Sequence, residues 1–523
     1  MVYLAGDNNL SEHMAYSLES LRRFAFSMTD YQRSKINLLA YFDGASITAP
    51  TMYVDLSDPA TDRLGFCQPL TQELCVHQDG EQNGAYNHHD NSASPDALLN
   101  FVRWCTGSTS EGLRGRPAKN YALIVSGHSL GFHGTTFLHD EGTGRHITLP
   151  QFRETLERAN ELYLSGIGNP ISILGFDSCL MSMAEVGYEL QNVASTMVAS
   201  QGSLPNTGWG YCEMLDVFAK TLESGGGEES LAASLVESFT DLHHSLAVGG
   251  RSIDISAWRL GKTGDIAAAV DRLAHKLRGL LCDQIQGDRA ETARVLKRII
   301  LQSHYDSQTY MAEQSVDLKD LCQRLIEECS YGEQGDLFKS VVEAAEEVID
   351  SVDASVIRCG FSGENYQFSN GISIFFPWSS LSFAVTDSQY RALRFVNDRE
   401  SKQISEWYSF LLEYVGNVSL RRSRKASGTA SGNLVSGGVP LRTTERATAV
   451  GSGGFLPLTK DGLPFTKDFL PFTRDGLPFT KGFLPLTNDG LPFTKGGLSP
   501  ADVGTSNYLS RFATFKNYEI GWN

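Results

Sequence analysis

The sequence predicts an α/β fold with a mostly parallel central sheet and helices on both of its faces. Three observations predict it. Short apolar runs alternate with stretches of helical periodicity over the first 210 residues. The runs are apolar at successive positions rather than at every second one, as in strands buried on both faces. The chain has 523 residues and is 41% hydrophobic, enough for a sizeable core, yet no apolar run approaches the ~18 residues of a membrane span.

The strand signals are Val2–Ala5, Ile36–Phe42, Tyr121–Val125, Ile171–Phe176 and Thr196–Ala199. Helical periodicity fills the gaps at Leu10–Phe26, Pro95–Trp104, Leu149–Leu164 and Leu180–Leu190. Residues 228–350 read as a helical insertion or subdomain, with apolar positions at helical spacing in Leu231–Leu246, Ile266–Leu281 and Leu337–Ile349. A strand over Gly371–Pro377 and a helix over Ile404–Tyr414 close a compact region, 1–415. Residues 416–455, rich in Ser, Gly, Thr and Arg, read as a flexible linker. From Leu456 to Gly497 a seven-residue LPxTxxx motif repeats. Its regular proline precludes helix interiors and central strands, so the expectation is an extended, disordered tail. The LPxT core is not followed by Gly, which argues against a sortase signal. The tail, 498–523, carries five aromatics after Ser506 and could dock.

The charge is −17, from 44 Lys+Arg and 61 Asp+Glu, and 13 of the basic residues lie beyond Gly416. An acidic body of this kind is no general nucleic-acid binder, because phosphate contacts need clustered Lys and Arg. The nine cysteines are odd in number and form no CxxC pair, which argues against a disulfide framework or a zinc ribbon. His88-His89-Asp90 lacks a third ligand at useful spacing, and Cys75 with His77 has the same status.

Ligands of parallel sheets sit beyond the carboxyl ends of the strands, and two strand ends carry chemistry. One is Val125-Ser126-Gly127-His128-Ser129-Leu130-Gly131; the other is Phe176-Asp177-Ser178-Cys179-Leu180-Met181. Adjacent strand ends place His128 and Cys179 on one rim, where an imidazole can take the thiol proton. A helix starting at Leu180 would lower the thiol pKa further. Gly127-His128-Ser129-Leu130-Gly131 also fits G-x-S-x-G, which would make the protein an α/β-hydrolase-type serine esterase using Ser129. That elbow needs a helix directly after the serine, and the sequence continues as a Gly-rich loop. His133 and His139 lie in the same loop, and His133 is the rival base.

These segments resemble the clostripain-like cysteine peptidases (family C11, in the caspase-like clan). The resemblance rests on Gly6-Asp7-Asn8-Asn9-Leu10, His128-Ser129-Leu130-Gly131-Phe132 and Gly175-Phe176-Asp177-Ser178-Cys179-Leu180-Met181. Glu185–Leu190, Ala199-Ser200-Gln201, Pro205–Tyr211 and Ser369–Pro377 extend it over about residues 1–415. It implies a caspase-like α/β/α sandwich and cleavage after Arg, sometimes Lys. By position it makes Cys179 the nucleophile and His128 the general base and acid, with an oxyanion held by the backbone N–H groups of Cys179 and Ser129. Asp177 would face a cationic P1 side chain; capping the following helix is its alternative role. Ser200 and Gln201 fall in the substrate-binding segment, which is uncharged here. Ser129 replaces the family's glycine after the histidine. Some relatives process themselves, which singles out Arg145 as an autocleavage site; Lys460, Lys467, Arg474, Lys481 and Lys495 are further basic positions in the tail.

The expected partners are protein or peptide substrates, with no nucleic acid, no membrane and a monomeric state. No cofactor is required. Calcium is implied by the resemblance alone, since no EF-hand loop is present. No signal peptide opens the sequence, so the expected location is the cytoplasm, or outside it if the start lies within a longer reading frame. A catalytically inactive, peptide-binding member of the same scaffold is the second alternative.

Overall fold

The computed structural model describes residues 1–45, 51–57, 67–69, 90–107, 116–133, 137–164, 171–246, 252–281, 288–310, 314–331, 335–398 and 403–415. The linker, the repeats, the tail, Cys75, His77, His88 and His89 lie outside them.

The central sheet has nine strands: β1 (Val2–Gly6), β2 (Leu39–Gly44), β3 (Met52–Asp55), β4 (Cys67–Pro69), β5 (Tyr121–Ser126), β6 (Ile171–Asp177), β7 (Ala194–Ala199), β8 (Ile253–Arg259) and β11 (Val356–Ser362). Their order is β11-β8-β7-β6-β5-β1-β2-β3-β4. The five central strands, β7 to β2, pair in parallel, while β3 and β4 on one flank and β8 and β11 on the other run antiparallel. The predicted mostly parallel sheet is therefore present.

Alternation along β1 shows how it is covered. Val2 and Leu4 pack with α1 (Ser11–Ser27), α6 (Tyr211–Glu223) and α7 (Glu228–Leu246). Tyr3 and Ala5 face the other way, into the larger cluster with α3 (Pro95–Cys105), α4 (Leu149–Ala159), α5 (Ala184–Leu190) and α8 (Thr263–Leu281). The helix starts are written locally: Thr148 and Gln151 form a capping box on α4, and Ser94 caps α3 with Pro95 in its first turn. α2 (Asp30–Lys35), likewise capped by Thr29 and Gln32, leads into β2.

Three expectations need correction. Residues 228–350 are no separate insertion. β8 lies within them and joins the central sheet; α8, α9 (Asp288–Asp306), α10 (Leu318–Ser330) and α11 (Gly335–Ser355) share the larger core cluster. The strand expected from Ile36 begins only at Leu39, because Ile36 ends α2. The helix expected from Leu180 begins at Ala184. A small second sheet, β9 (Thr309–Tyr310), β10 (Ser315–Asp317) and β12 (Ser373–Phe375), stands beside the residues that follow β6 through the bridge Met183–Ser373. α12 (Ser380–Tyr390) and helical residues 406–415 complete the described chain.

Candidate active site

β5 and β6 are paired so that Ser126 stands opposite Asp177 at their carboxyl ends. His128 and Cys179 each lie two residues beyond that pair, on the same rim, and both are half-buried.

Cys179 sits in a turn rather than at a helix start. Leu180 adopts φ 61°, a left-handed conformation that costs a side-chain-bearing residue on the order of 1 kcal/mol. The turn is held by Leu180 N–H donating to Gly202 O (2.9 Å) and Ser182 N–H to Ser200 O (2.9 Å). Helix-dipole activation of the thiol is accordingly absent: α5 starts five residues later. The sulfur instead accepts the Leu204 N–H (3.3 Å). Burial pushes the thiol up to about 11, which the Leu204 N–H partly offsets and the negative charge of Asp177 reinforces.

His128 Nε2 lies 2.5 Å from Asn9 Oδ1. An amide oxygen only accepts, so this bond requires the proton on Nε2. Burial, with His139 adding a like charge, pushes the imidazole down to about 4. At neutral pH Cys179 is thus a thiol and His128 a neutral imidazole.

The Gly6–Asn9 turn after β1 divides its work. Asn8 Nδ2–H donates to Ala5 O (3.1 Å) and His139 O (2.9 Å), fixing the turn against the loop that follows β5. Asn9 holds His128. Asp7 joins a carboxylate group with Asp43 and Asp140, and burial together with Asp140 raises its pKa. Sequence reasoning quoted this motif but gave Asn9 no role; its position beside a strand end was the available signal.

His133 is no rival for the base. It is buried, stacked on Phe132 at 4.1 Å and edge-on to Phe375, and burial pushes it down to about 3. His139 is buried as well. Ser129 is also buried. Its Oγ donates to Met181 Sδ (2.8 Å) and accepts the Gly131 N–H (3.1 Å), so it closes a local turn instead of standing on an exposed elbow. The main-chain N–H groups of Ser129 and Cys179 have no acceptor among the described residues.

Asp177 lies beneath the turn. Its Oδ2 accepts Ser126 Oγ–H (2.8 Å) and Tyr211 O–H (2.9 Å), and its Oδ1 accepts the Trp209 N–H (3.0 Å). Burial raises its pKa to about 6 despite these bonds. It caps no helix, since none follows directly. Gly208, at φ +62°, passes directly over it; a Cβ there would stand 2.5 Å from Oδ2.

The side chains of Ser200 and Gln201 are both 0% exposed and do not reach a surface from which they could meet substrate. Gln201 is a clamp: Oε1 accepts the Gly371 N–H (2.8 Å), and Nε2–H donates to Asp317 Oδ2 (2.9 Å). The backbone of the same segment is gripped by Asp254, which accepts the N–H groups of Gln201 (2.7 Å) and Gly202 (2.8 Å). The Tyr366 hydroxyl oxygen accepts the Ser203 N–H (3.2 Å). Asp254, Asp317 and Tyr366 were not found from the sequence; a charged residue at a buried position of β8 was the one visible sign of Asp254. Burial lifts Asp254 to about 7 and Asp317 to about 6.

Arg145 is exposed at the end of a tight turn, exchanging both backbone hydrogen bonds with Asp140 (2.9 and 3.2 Å).

A family model described as the clostripain family, Peptidase C11, matches residues 2–411. The chain belongs to the clostripain family of cysteine peptidases. It is 23% identical to clostripain of Hathewaya histolytica over 437 residues, covering 72% of this chain and 74% of that one. Its fold is similar to a secreted C11 cysteine protease of Bacteroides thetaiotaomicron, solved in complex with an irreversible peptide inhibitor: TM-score 0.50, 18% identity, covering 78% of this chain and 97% of that one. This clostripain-family chain thus has protein or peptide substrates. No helix among the described residues is long and apolar enough to cross a membrane.

Proposed function

We propose that the protein is an endopeptidase that cleaves after Arg, and also Lys, through a Cys179–His128 dyad. The observation that supports the reading is the Ser126–Asp177 register, with His128 and Cys179 two residues beyond it and the main-chain N–H groups of Ser129 and Cys179 without an acceptor among the described residues. Cys179 Sγ attacks the scissile carbonyl as His128 Nδ1 takes its proton. The oxyanion settles on the Ser129 and Cys179 N–H groups. His128 then protonates the leaving amine and activates the water that hydrolyses the thioester. Because the resting pair is neutral, proton transfer accompanies attack rather than preceding it.

A basic P1 side chain is supported by charge. Asp177 lies beneath the turn that carries Cys179, acts on its thiol, and is paired with no Lys or Arg among the described residues. A guanidinium would supply the missing countercharge. The serine-esterase alternative is disfavoured by the bonded, buried Ser129 Oγ.

The test is labelling with a thiol-directed acyloxymethyl ketone carrying Arg at P1. Covalent modification of Cys179, lost in His128→Ala and Cys179→Ala, is the expected result. Full labelling of His128→Ala, or peptidase activity that survives Cys179→Ala, would overturn the dyad.

A further inference from the structure

Gly202, Ser203 and Leu204 pass beside the nucleophile, and each gives its backbone N–H to a different partner. Gly202 donates to Asp254 Oδ1 (2.8 Å), Ser203 to the Tyr366 hydroxyl oxygen (3.2 Å) and Leu204 to Cys179 Sγ (3.3 Å). Gly202 O in turn accepts the Leu180 N–H (2.9 Å) of the turn that carries Cys179. The middle N–H is thus held by a side chain to which the proposed reaction gives no part.

Tyr366 reaches this segment from far along the chain. It ends a single helical turn, Glu364–Tyr366, between β11 and β12. Its ring comes so close to Gly202 that a Cβ there would stand 2.5 Å from Cζ. The turn is itself anchored. Ser252 Oγ accepts the Asn365 N–H (2.9 Å), Gln308 Nε2–H donates to Asn365 O (2.8 Å), and Tyr366 O accepts the Ser369 N–H (3.1 Å). The Ser203 side chain is within hydrogen-bond reach of both the Cys179 sulfur and the Tyr366 hydroxyl, and it favours the charged form of each.

The charges that face the sulfur from β6 and β8, those of Asp177 and Asp254, disfavour a thiolate, and the hydrogen bonds from Ser203 and Leu204 work the other way. A donor bonds a thiolate more strongly than a thiol, because the bond is then charge-assisted. We propose that Tyr366 is a positioning residue for the nucleophile: by holding the Ser203 N–H, its hydroxyl keeps the Ser203 hydroxyl and the Leu204 N–H on the Cys179 sulfur, where they stabilise the negative charge that develops as the thiol gives up its proton. The inference rests on the reading of Cys179 as the nucleophile.

In the test, iodoacetamide alkylates Cys179 of the full chain, and mass spectrometry reads the peptide that carries residue 179, so the other cysteines do not contribute. The reagent is small and uncharged and requires neither P1 recognition nor turnover. The measurement can therefore fail while the Arg probe still labels Cys179, and succeed where the probe does not. Between pH 8 and 11 Asp177 and Asp254, raised to about 6 and about 7, stay charged, and His128, lowered to about 4, stays neutral. Tyr366, which burial pushes above the ordinary phenol range, stays protonated. The alkylation profile over that window follows the thiol. Tyr366→Phe keeps the ring on Gly202 and removes the oxygen. Its profile is expected to move upward by about one pH unit, as for the loss of roughly one hydrogen bond to a charged group. At pH 8 that is about three-fold slower alkylation, because the thiolate falls about ten-fold while its nucleophilicity rises about three-fold. Rates lowered by one factor at every pH, with the bend of the profile unmoved, would mean altered access and would overturn the role, as would unchanged rates. Ser203→Ala is expected to move the profile in the same direction, and the two substitutions together to move it by less than their sum. A full sum would overturn the claim that Tyr366 acts through Ser203. Should Tyr366→Phe lose its native circular dichroism spectrum, Ser203→Ala decides alone, and an unmoved profile there would overturn the donor set.

Discussion

At the scale of single residues, the proposed reaction gives Asn9 and Asp177 different parts. Asn9 sets which nitrogen of His128 carries the proton, and it is a positioning residue. Asn9→Ala is expected to lower kcat on the order of 10²-fold, the cost of about an ångström of misplacement, with KM little changed. Asn9→Asp would place a negative charge on the Nε2 side, raise the imidazole pKa and move the acid limb of kcat/KM upward; an unmoved limb would remove Asn9 from the site. In the proposed reaction Asp177 controls a different limb. Its folded pKa is raised to about 6, so it is charged above that pH and loses its charge as pH falls through it. His128, pushed down to about 4, stays a competent base over the same range. For a P1 Arg substrate, kcat/KM is therefore expected to fall below about pH 6. An uncharged P1 substrate should hold its rate to about pH 4. Asp177→Asn should erase the difference and cut the preference for Arg about 10- to 150-fold, the equivalent of ~1.5–3 kcal/mol for a charged hydrogen bond. Coincident limbs for both substrates would show that Asp177 does not meet P1.

At the scale of elements, the site is a set of turns fixed from outside. The turn carrying Cys179 depends on residues 200–204, and these depend on Asp254 of β8 and on Asp317 at the end of β10, with Gln201 bridging to Gly371. Gln201→Ala should leave the Gly371 N–H short of its acceptor and Asp317 short of a donor, each costing on the order of 1–3 kcal/mol. Its expected signature is a lower denaturation midpoint together with slower probe labelling. Normal stability would mean the clamp is dispensable. These supports also explain what the sequence could and could not reveal. β5, β6 and the residues just past them were legible because doubly buried strands are continuous apolar runs, and the chemistry lies at their ends. β8 was hidden: Asp254 and Ser256 interrupt its apolar pattern, and both are buried polar residues satisfied by partners far along the chain. Leu180 misled for a related reason. Leu180–Leu190 has helical spacing throughout, but the tertiary bonds from Gly202 and Ser200 hold its first turn out of helix. Ser200 and Gln201 lay in the right segment, but periodicity cannot tell which way a loop side chain faces.

At the scale of the whole molecule, the sheet decides what a cut in the loop after β5 would do. Arg145 sits between β5 and β6, and those strands are neighbours that also pair with β1 and β7. A break after Arg145 severs the covalent crossover and leaves every strand pairing in place. The two pieces should therefore remain one folded particle. The turn also resists cleavage, because peptidases bind extended backbone and Arg145 exchanges both of its backbone hydrogen bonds with Asp140. Opening it means releasing Asp140 from Thr143, the same carboxylate that joins Asp7 and Asp43. Self-processing is accordingly expected to be slow. Intact-mass analysis under denaturing conditions should show wild type parted between Arg145 and His146 after prolonged incubation, and Cys179→Ala whole. Native mass spectrometry of the same nicked sample should show a single particle holding both pieces. A wild-type mass that stays undivided would remove Arg145 as a processing site, and dissociation of the pieces on nicking would mean that the crossover, rather than the strand pairing, holds the two halves of the sheet together.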